Sequence, residues 1–339
     1  MKRDYEKQLS CNLKTWYEIE MQSIDKLEAG ADVHASVYQV ESTSAKKYFV
    51  KIKFAQGKNT GLSVMNLLKT SGLNQVIFPV ETIKGDLSCH LDDAEMIVFP
   101  FVVGLDGFDR DLSEPQWINL GACLAKIHNL KIPESLQNTL KSEDFNPGSI
   151  RRVKALLSSV ENFEPEDKPG QDFLRLFKSR KTLIMDMLKY TEQLRDLVSR
   201  QRSDLVLCHG DLHGGNVLMT HDDGFFIVDW DEPVMAPVER DLMFIGGGVG
   251  NIWNRREEED LFFQGYGTRE LSPERLAYYR LERILLDIAE YGEELLVKGG
   301  SDRDRHELFC EFSDQFNENG VVDIAMLSWK RLSGILSQD

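Results

Sequence analysis

The run His209-Gly210-Asp211-Leu212-His213-Gly214-Gly215-Asn216 follows a short apolar stretch, Leu205-Val206-Leu207-Cys208. Further on, a second apolar stretch, Phe225-Phe226-Ile227-Val228, leads directly into Asp229-Trp230-Asp231. Two short buried strands thus each deliver an acid at their end, where a rigid support can aim it into a cleft. Phosphoryl transfer suits such a set, because it needs an oriented nucleophile and neutralised phosphate charge more than covalent chemistry. Asp211 can take the proton of an attacking hydroxyl. Asn216 and Asp229 offer an amide and a carboxylate oxygen, the hard donors that Mg²⁺ prefers. Singly, each residue has an ordinary use: Asp211 as a turn acid, Asp229 as a strand-end cap. A different chemistry, zinc hydrolysis on Cys208, His209 and His213, is disfavoured because the Gly214-Gly215 pair argues against the helix that a four-residue histidine spacing needs.

The elements around this segment read as a strand-rich first hundred residues followed by a helical remainder. Asp4 to Gln22 has helical apolar spacing through Leu9, Leu13, Trp16 and Tyr17. Ser36–Val40 and Tyr48–Ile52 alternate as strands around a turn at Ser42–Ala45. Leu62–Leu68 is helical and closes at Ser71-Gly72. Val76–Val80 and Met96–Phe99 are expected strands, with a turn at Gly85-Asp86 between them. Pro100 to Gly107 interrupts the pattern as a connector. A helix is expected from Trp117 to Asn129, entered through Ser113-Glu114-Pro115. The stretch 146–172 contains a loop, Leu174–Arg200 is helical, and Ser272-Pro273-Glu274 opens a helix to Gly292. The expected division is a nucleotide-binding lobe over 1–102 and a catalytic, substrate-binding helical lobe over 103–339.

Composition narrows the function classes. Forty basic and 56 acidic residues give a net charge of −16, with no Lys/Arg block, so a nucleic-acid partner is not expected. The acid surplus is compatible with a small cationic substrate. No run approaches the ~18 apolar residues of a membrane span, and the polar start carries no signal-peptide core. Five scattered cysteines without a CxxC fit a reducing cytoplasm. Nothing in the sequence sets the oligomeric state.

The Asp-x-x-x-x-Asn spacing followed by a strand-borne Asp is the kinase order of catalytic loop and metal-binding acid. His209–Asn216 with Ile227–Asp231 resembles the aminoglycoside phosphotransferases and their choline-kinase-like relatives. The run Asp229–Trp253 and the segment Leu281–Gly292 are similar to the spectinomycin 9-O-phosphotransferases. The resemblance covers most of the chain, least so over 130–200. It implies an α+β, protein-kinase-like bilobal fold, with a small antiparallel-sheet N-lobe and a larger helical C-lobe. It implies ATP and Mg²⁺ as cofactors, with Asp211 catalytic and Asn216 and Asp229 on the metal. Lys51 would hold the nucleotide phosphates, with Gly30, Pro100 and Val102 as further nucleotide contacts. Asp231, Glu232, Trp253 and Asp287 become candidates for a cationic acceptor, with Glu290 beside them. His209 and Asp241 become structural supports of the loop.

Three departures stand out. The Glu28–Ser36 turn lacks the G-x-G-x-x-G of a kinase phosphate loop. Gly246-Gly-Gly-Val-Gly250 has no Lys-Ser/Thr after it and is no Walker A, so close helix or substrate approach is the expected use of its glycines. A kinase lysine usually pairs with a glutamate of a small-lobe helix, yet no Asp or Glu occurs between Lys51 and Val80. Lys51 must therefore be held by a neutral partner or from elsewhere. The function expected is ATP-dependent phosphorylation of a hydroxyl on a small aminocyclitol antibiotic, spectinomycin first among acceptors. Another amino-alcohol or sugar acceptor is the alternative, and a non-catalytic kinase-fold binding module is a further one.

Overall fold

The computed structural model describes residues 6–27, 35–54, 59–91, 93–161, 163–296 and 302–336. The chain divides into two compact units, one of Met1–Leu105 with Leu218–Glu232, the other of Asp106–Val217 with Pro233–Asp339. In chain order the elements of the first hundred residues are α1 (Glu6–Tyr17), β1 (Met21–Leu27), β2 (Ala35–Ser42), β3 (Lys47–Lys53), α2 (Thr60–Thr70), β4 (Cys89–Leu91) and β5 (Ala94–Pro100). Then come α3 (Glu114–His128), α4 (Glu134–Gln137), β6 (Lys141–Ser142), α5 (Gly148–Ser159), α6 (Lys168–Ser179), α7 (Lys181–Val198) and β7 (Val206–Cys208). After a 3₁₀ turn at Gly214–Asn216 follow β8 (Val217–Met219), β9 (Phe225–Ile227), β10 (Val234–Ala236), α8 (Glu239–Leu242), α9 (Arg256–Tyr266), α10 (Pro273–Leu296), α11 (Asp302–Asp314) and α12 (Val321–Leu336).

The first unit is built on an antiparallel sheet in the order β1-β2-β3-β5-β4. Alternation along β3 sorts its side chains. Val50 and Ile52 are buried with Leu9, Leu13 and Tyr17 of α1 and with Val40, Met96 and Val98 of neighbouring strands. Lys51 and Lys53 therefore share the opposite face. Strand β1 was not expected from the sequence. Its exposed polar residues, with Ile24 and Leu27 only half-buried, give the weak alternation of an edge strand. The strand expected over Val76–Val80 is corrected to extended chain: Val76 forms a single parallel bridge to Ile227, and Val80 N donates to Val98 O at 2.7 Å, but no ladder runs through Pro79.

Helix α2 is capped by Asn59, whose side chain accepts from Leu62 N at 3.3 Å. Its Gly61 lies so close to the Trp230 carbonyl that a β-carbon there would collide with it. That approach seats the stretch after the β8–β9 hairpin, and with it Asp229 and Asp231, within the first unit.

In the second unit β7 lies antiparallel to β10, pairing Cys208 with Val234, and β6 flanks β10. Helix α10 is its centre, packed by α5, α7, α12 and α11. The expected entry to α3 is present as a capping box: Ser113 and Gln116 each accept from the other's backbone N–H. One helical expectation is corrected: the long helix over Leu174–Arg200 is two helices broken at Arg180. The loop expected within 146–172 lies between α5 and the start of α6, both of which the stretch also holds. Pro147 and Pro169 sit at helix starts, where their missing N–H costs nothing.

Candidate active site

In the first unit the site gathers around Lys51, whose side chain is 12% exposed. Its Nζ donates to Asp229 Oδ1 at 3.1 Å and to Asp231 Oδ2 at 2.6 Å, and Lys53 Nζ reaches the same Asp231 oxygen at 3.1 Å. Burial alone would lower the Lys51 pKa, but the two carboxylates outweigh it and the ammonium is held more firmly charged than usual. Asp231 stays ionised for the reciprocal reason: its burial is overcome by Lys51 and Lys53. The acid missing between Lys51 and Val80 is thus supplied from after β9. Asn59 of the α2 cap, where a kinase glutamate would be sought, binds Glu95 Oε2 instead, at 2.9 Å.

Asp229 adopts a left-handed backbone (φ 60°), uncommon for a residue with a side chain and typical of functional turns. Its carboxylate is half-exposed. Oδ1 is used by Lys51, and Oδ2 has no partner among the described residues. Asp231, a candidate for the acceptor ammonium, has its carboxylate taken by two lysines. Glu232 is exposed beside it. Pro100 ends β5, opposite Tyr48, and Val102 follows it half-buried. Gly30 lies outside the described residues.

In the second unit β7 runs straight into the loop His209–Asn216. Asp241 of α8, fully buried, holds the start of this loop: Oδ2 accepts from His209 N at 2.9 Å and Oδ1 from Gly210 N at 2.8 Å. His128 Nε2 lies 3.1 Å from Asp241 Oδ2, and its Nδ1 2.8 Å from the Tyr266 hydroxyl. Burial would raise the Asp241 pKa, but these donors prevail and keep it low. The support expected of Asp241 is present. His209 is buried and accepts from Asp211 N at 3.3 Å, so it braces the loop internally.

Asp211 is half-exposed. Arg283 of α10 donates through Nη1 to its Oδ1, and His213 Nε2 lies 3.4 Å from its Oδ2. Burial pushes its pKa up, yet Arg283 and His213 overcome that and hold the carboxyl well below its usual range. Gly215 N donates to His213 Nδ1 at 3.1 Å, which leaves the His213 proton on Nε2, facing Asp211. Asn216 donates from Nδ2 to the Asp211 carbonyl at 2.8 Å. Its amide is thereby oriented, and Oδ1 is the atom left to offer. Asn216 in the second unit thus offers an oriented amide oxygen, and Asp229 in the first an open carboxylate oxygen, each a hard donor of the kind that Mg²⁺ prefers.

The remaining expected residues are deep in the second unit. Asp287 is buried on α10, one turn from Arg283. Its Oδ1 accepts from Arg283 Nε at 2.8 Å and its Oδ2 from Gln315 Nε2 at 3.2 Å. Trp253 is 4% exposed, and its ring meets Trp117 edge-on at 5.1 Å. The glycines at 246–250 serve close packing: Arg280 of α10 donates to the carbonyls of Met243 and Ile245 beside them. The zinc alternative fails on geometry. Among the described residues the group whose ligand atoms come within 4.8 Å is His128, Cys208 and Asp241, without His209 or His213. In that group burial holds the Cys208 thiol protonated, and both Asp241 oxygens are in use.

Arg283 was not singled out in the sequence, although its spacing to Asp287 is the i,i+4 interval of a helical ion pair. What hid it was the other end of the contact, since nothing local ties Arg283 to Asp211, 72 positions away.

Residues 27–281 match the model of the phosphotransferase enzyme family. The chain belongs to that family. This phosphotransferase is 38% identical to the spectinomycin phosphotransferase APH(9)-Ia solved with ADP and spectinomycin, with a TM-score of 0.88 over 95% of this chain and 98% of that one. The AMP-bound form of APH(9)-Ia matches at 37% identity and a TM-score of 0.84, over 94% and 98% of the two chains. StrN of Streptomyces griseus is 27% identical over 229 residues, which span 66% of this chain and 66% of StrN's own length. The amicoumacin kinase hAmiN, solved with AMP-PNP, Ca²⁺ and amicoumacin, is 16% identical with a TM-score of 0.63, covering 95% and 97%, and shares the fold. The fold of this phosphotransferase is kinase-like, as the loop residues implied, and the chain is an enzyme of phosphoryl transfer. No helix among the described residues is long and apolar enough to cross a membrane.

Proposed function

We propose that this phosphotransferase moves the γ-phosphoryl group of ATP to a hydroxyl of a small cationic aminocyclitol antibiotic, with spectinomycin as the acceptor, in the cytoplasm. The observation that carries this reading is the 38% identity, over 95% of the chain, to an enzyme solved with ADP and spectinomycin. The residues support it independently. Lys51, kept charged by Asp229 and Asp231, is fitted to hold nucleotide phosphates. Asp211, kept ionised by Arg283, is fitted to accept a proton. The acceptor oxygen forms its bond to the γ-phosphorus as the bond from that phosphorus to the β,γ-bridging oxygen breaks. ADP departs, and the hydroxyl proton passes to an Asp211 carboxylate oxygen. Asn216 and Asp229 are the residues assigned to Mg²⁺, which when bound neutralises phosphate charge. The net charge of −16 favours approach of a cationic acceptor. Among the expected acceptor residues, Asp231 and Asp287 are committed to cations of the chain itself.

The idea of a non-catalytic binding module drew on the absent small-lobe acid. The pairing of Lys51 with Asp229 and Asp231 removes that motive. The test is Mg²⁺-dependent release of ADP from ATP with spectinomycin, with other aminoglycosides and with choline-like amino-alcohols. Asp211→Asn serves as the control and is expected to bind nucleotide but lose roughly 10² to 10⁴ in turnover. Release with a different acceptor keeps the kinase and discards spectinomycin. Near-normal turnover of Asp211→Asn discards Asp211 as the base.

A further inference from the structure

We infer that Arg283 is a positioning residue for phosphoryl transfer: anchored by Asp287 and Gln315, its guanidinium holds Asp211 by Oδ1 and turns Oδ2 toward the acceptor hydroxyl. This rests on the reading of Asp211 as the proton acceptor.

The chain of contacts runs through one buried region of the second unit. Gln315 Nε2 donates to Asp287 Oδ2 at 3.2 Å, Asp287 Oδ1 accepts from Arg283 Nε at 2.8 Å, and Arg283 Nη1 donates to Asp211 Oδ1. Arg283 also lies over the Phe244 ring, 5.7 Å from its centre, which fixes the plane of the guanidinium. Each link removes a freedom. Asp287 has both oxygens engaged and cannot turn away. Arg283, with one edge on Asp287, presents its other edge at a fixed angle. Asp211 stands on a loop whose backbone is held at His209 and Gly210, so the remaining freedom of its carboxylate is rotation about its own side-chain bonds. Arg283 removes that rotation by occupying one oxygen. Among the described residues the other oxygen faces only His213 Nε2, at 3.4 Å, a distance too long for a strong bond. A carboxylate with one oxygen anchored and one loosely held is ready to accept a proton from a defined direction. The planar fork of arginine suits this bridge, because a lysine offers a single point of charge and cannot span two carboxylates at set angles.

The arrangement also assigns Asp287. On a helix lining a catalytic region, an acid invites reading as a ligand for the acceptor ammonium. With Arg283 and Gln315 on its two oxygens it acts through Arg283 instead.

The test compares wild type with Arg283→Met, Arg283→Lys, Arg283→Ala and Asp287→Asn in steady-state ADP release with spectinomycin. Arg283→Met is expected to lose roughly 10- to 100-fold in kcat, the scale of a misplaced reacting group, with KM for ATP within twofold. Arg283→Lys is expected to recover only part of the loss. Guanidinium at millimolar concentration is expected to raise the turnover of Arg283→Ala severalfold, which restored folding alone would not do. Arg283→Met added to Asp211→Asn is expected to cost nothing more, since Arg283 acts through Asp211. An unchanged or raised kcat in Arg283→Met, no response of Arg283→Ala to guanidinium, or a further multiplicative loss in the double variant overturns the inference. If wild type transfers phosphate to no acceptor, the functional reading has failed, and the pair is judged by urea unfolding of wild type, Asp211→Asn, Arg283→Met and the double variant. A coupling of about fivefold or more in the unfolding equilibrium supports the contact, and additive effects overturn it.

Discussion

Replacing Asp241 tests whether a buried carboxylate can earn its place by holding a catalytic loop. Its three donors are the backbone N–H groups of His209 and Gly210 and the Nε2–H of His128, at 2.9, 2.8 and 3.1 Å. The ionised side chain pays a desolvation penalty, but its pKa lies below the ordinary value, so the donors contribute more than burial costs. In Asp241→Asn the better amide orientation keeps oxygen toward His209 and His128 and turns the amide nitrogen against Gly210 N–H. One bond to a charged acceptor is lost and one buried donor is stranded, a cost of about 2 to 3 kcal/mol. Asp241→Ala strands all three donors and is expected to cost about 4 kcal/mol or more. Urea unfolding followed by tryptophan fluorescence reads this, because Trp117 and Trp253 are buried in the same unit. Turnover of the folded Asp241→Asn enzyme is expected to fall about 10²-fold, since Asp211 follows Gly210 directly and a displacement near 1 Å has that effect. Asp241→Asn as stable as wild type within about 0.5 kcal/mol would refute the reasoning, because the carboxylate's bonds would then not outweigh its burial.

Three further perturbations probe other parts of the molecule. Asp231→Ala removes the shorter of the two contacts to Lys51 and, among the described residues, the one carboxylate that Lys53 reaches, so KM for ATP is expected to rise about 10-fold with Asp211 chemistry intact; steady-state kinetics in ATP that show no change would release Asp231 from this role. Gly61→Val drives a side chain into the Trp230 carbonyl and is expected to cost about 2 kcal/mol or more, read by urea unfolding; tolerance would mean that α2 and the Asp229 stretch are not in contact. Asp287, facing Arg283, Glu290, Asp211 and Gln315, has its pKa pushed up by burial, against the pull of Arg283, to about 6. Its folded pKa exceeds the unfolded value of about 3.9, so its contribution favours the folded chain fully below that value and is lost as pH rises through about 6. Relative to Asp287→Asn, wild type is expected to lose up to about 3 kcal/mol of stability between pH 4 and pH 6.5, and a pH-independent difference between the two unfolding curves would contradict it.

What the sequence disclosed was local chemistry on strong periodicity. Asp211, Asn216 and Asp229 stood out because polar groups at fixed spacing followed apolar strands; the structure places Asp211 after β7, Asp229 after β9 and Asn216 in the turn directly before β8. Alternation put Lys51 and Lys53 on one face and left the choice between them open. The structure shows that both serve one carboxylate, Asp231. Edge strand β1 escaped because a strand that buries little carries little pattern. Helix α5 escaped because its flanking prolines and glycines read as loop, while the cue that mattered was the position of Pro147 just ahead of the first turn. Arg283 and the partner of Lys51 escaped for a common reason: each depends on a contact between distant parts of the chain, 72 and 180 positions apart, which no local window contains.

Those two long-range contacts solve similar problems. In each unit a charge proposed to serve phosphoryl transfer, Lys51 in one and Asp211 in the other, is held by an opposite charge from a distant segment. In the second unit the solution extends further, because Glu239, Arg240 and Asp241 reach in three directions. Glu239 takes Arg275 Nε at 3.0 Å and Ser272 N at 2.8 Å at the start of α10, and Arg240 lies 3.4 Å from Glu282, the residue directly before Arg283, which reaches Asp211. Helix α10 is therefore tied to the segment that holds the loop backbone and also holds the loop's carboxylate. Asp211 is thus held twice, through its loop backbone by Asp241 and through its carboxylate by Arg283 of α10, so a loop rich in glycine presents that carboxylate in a fixed orientation.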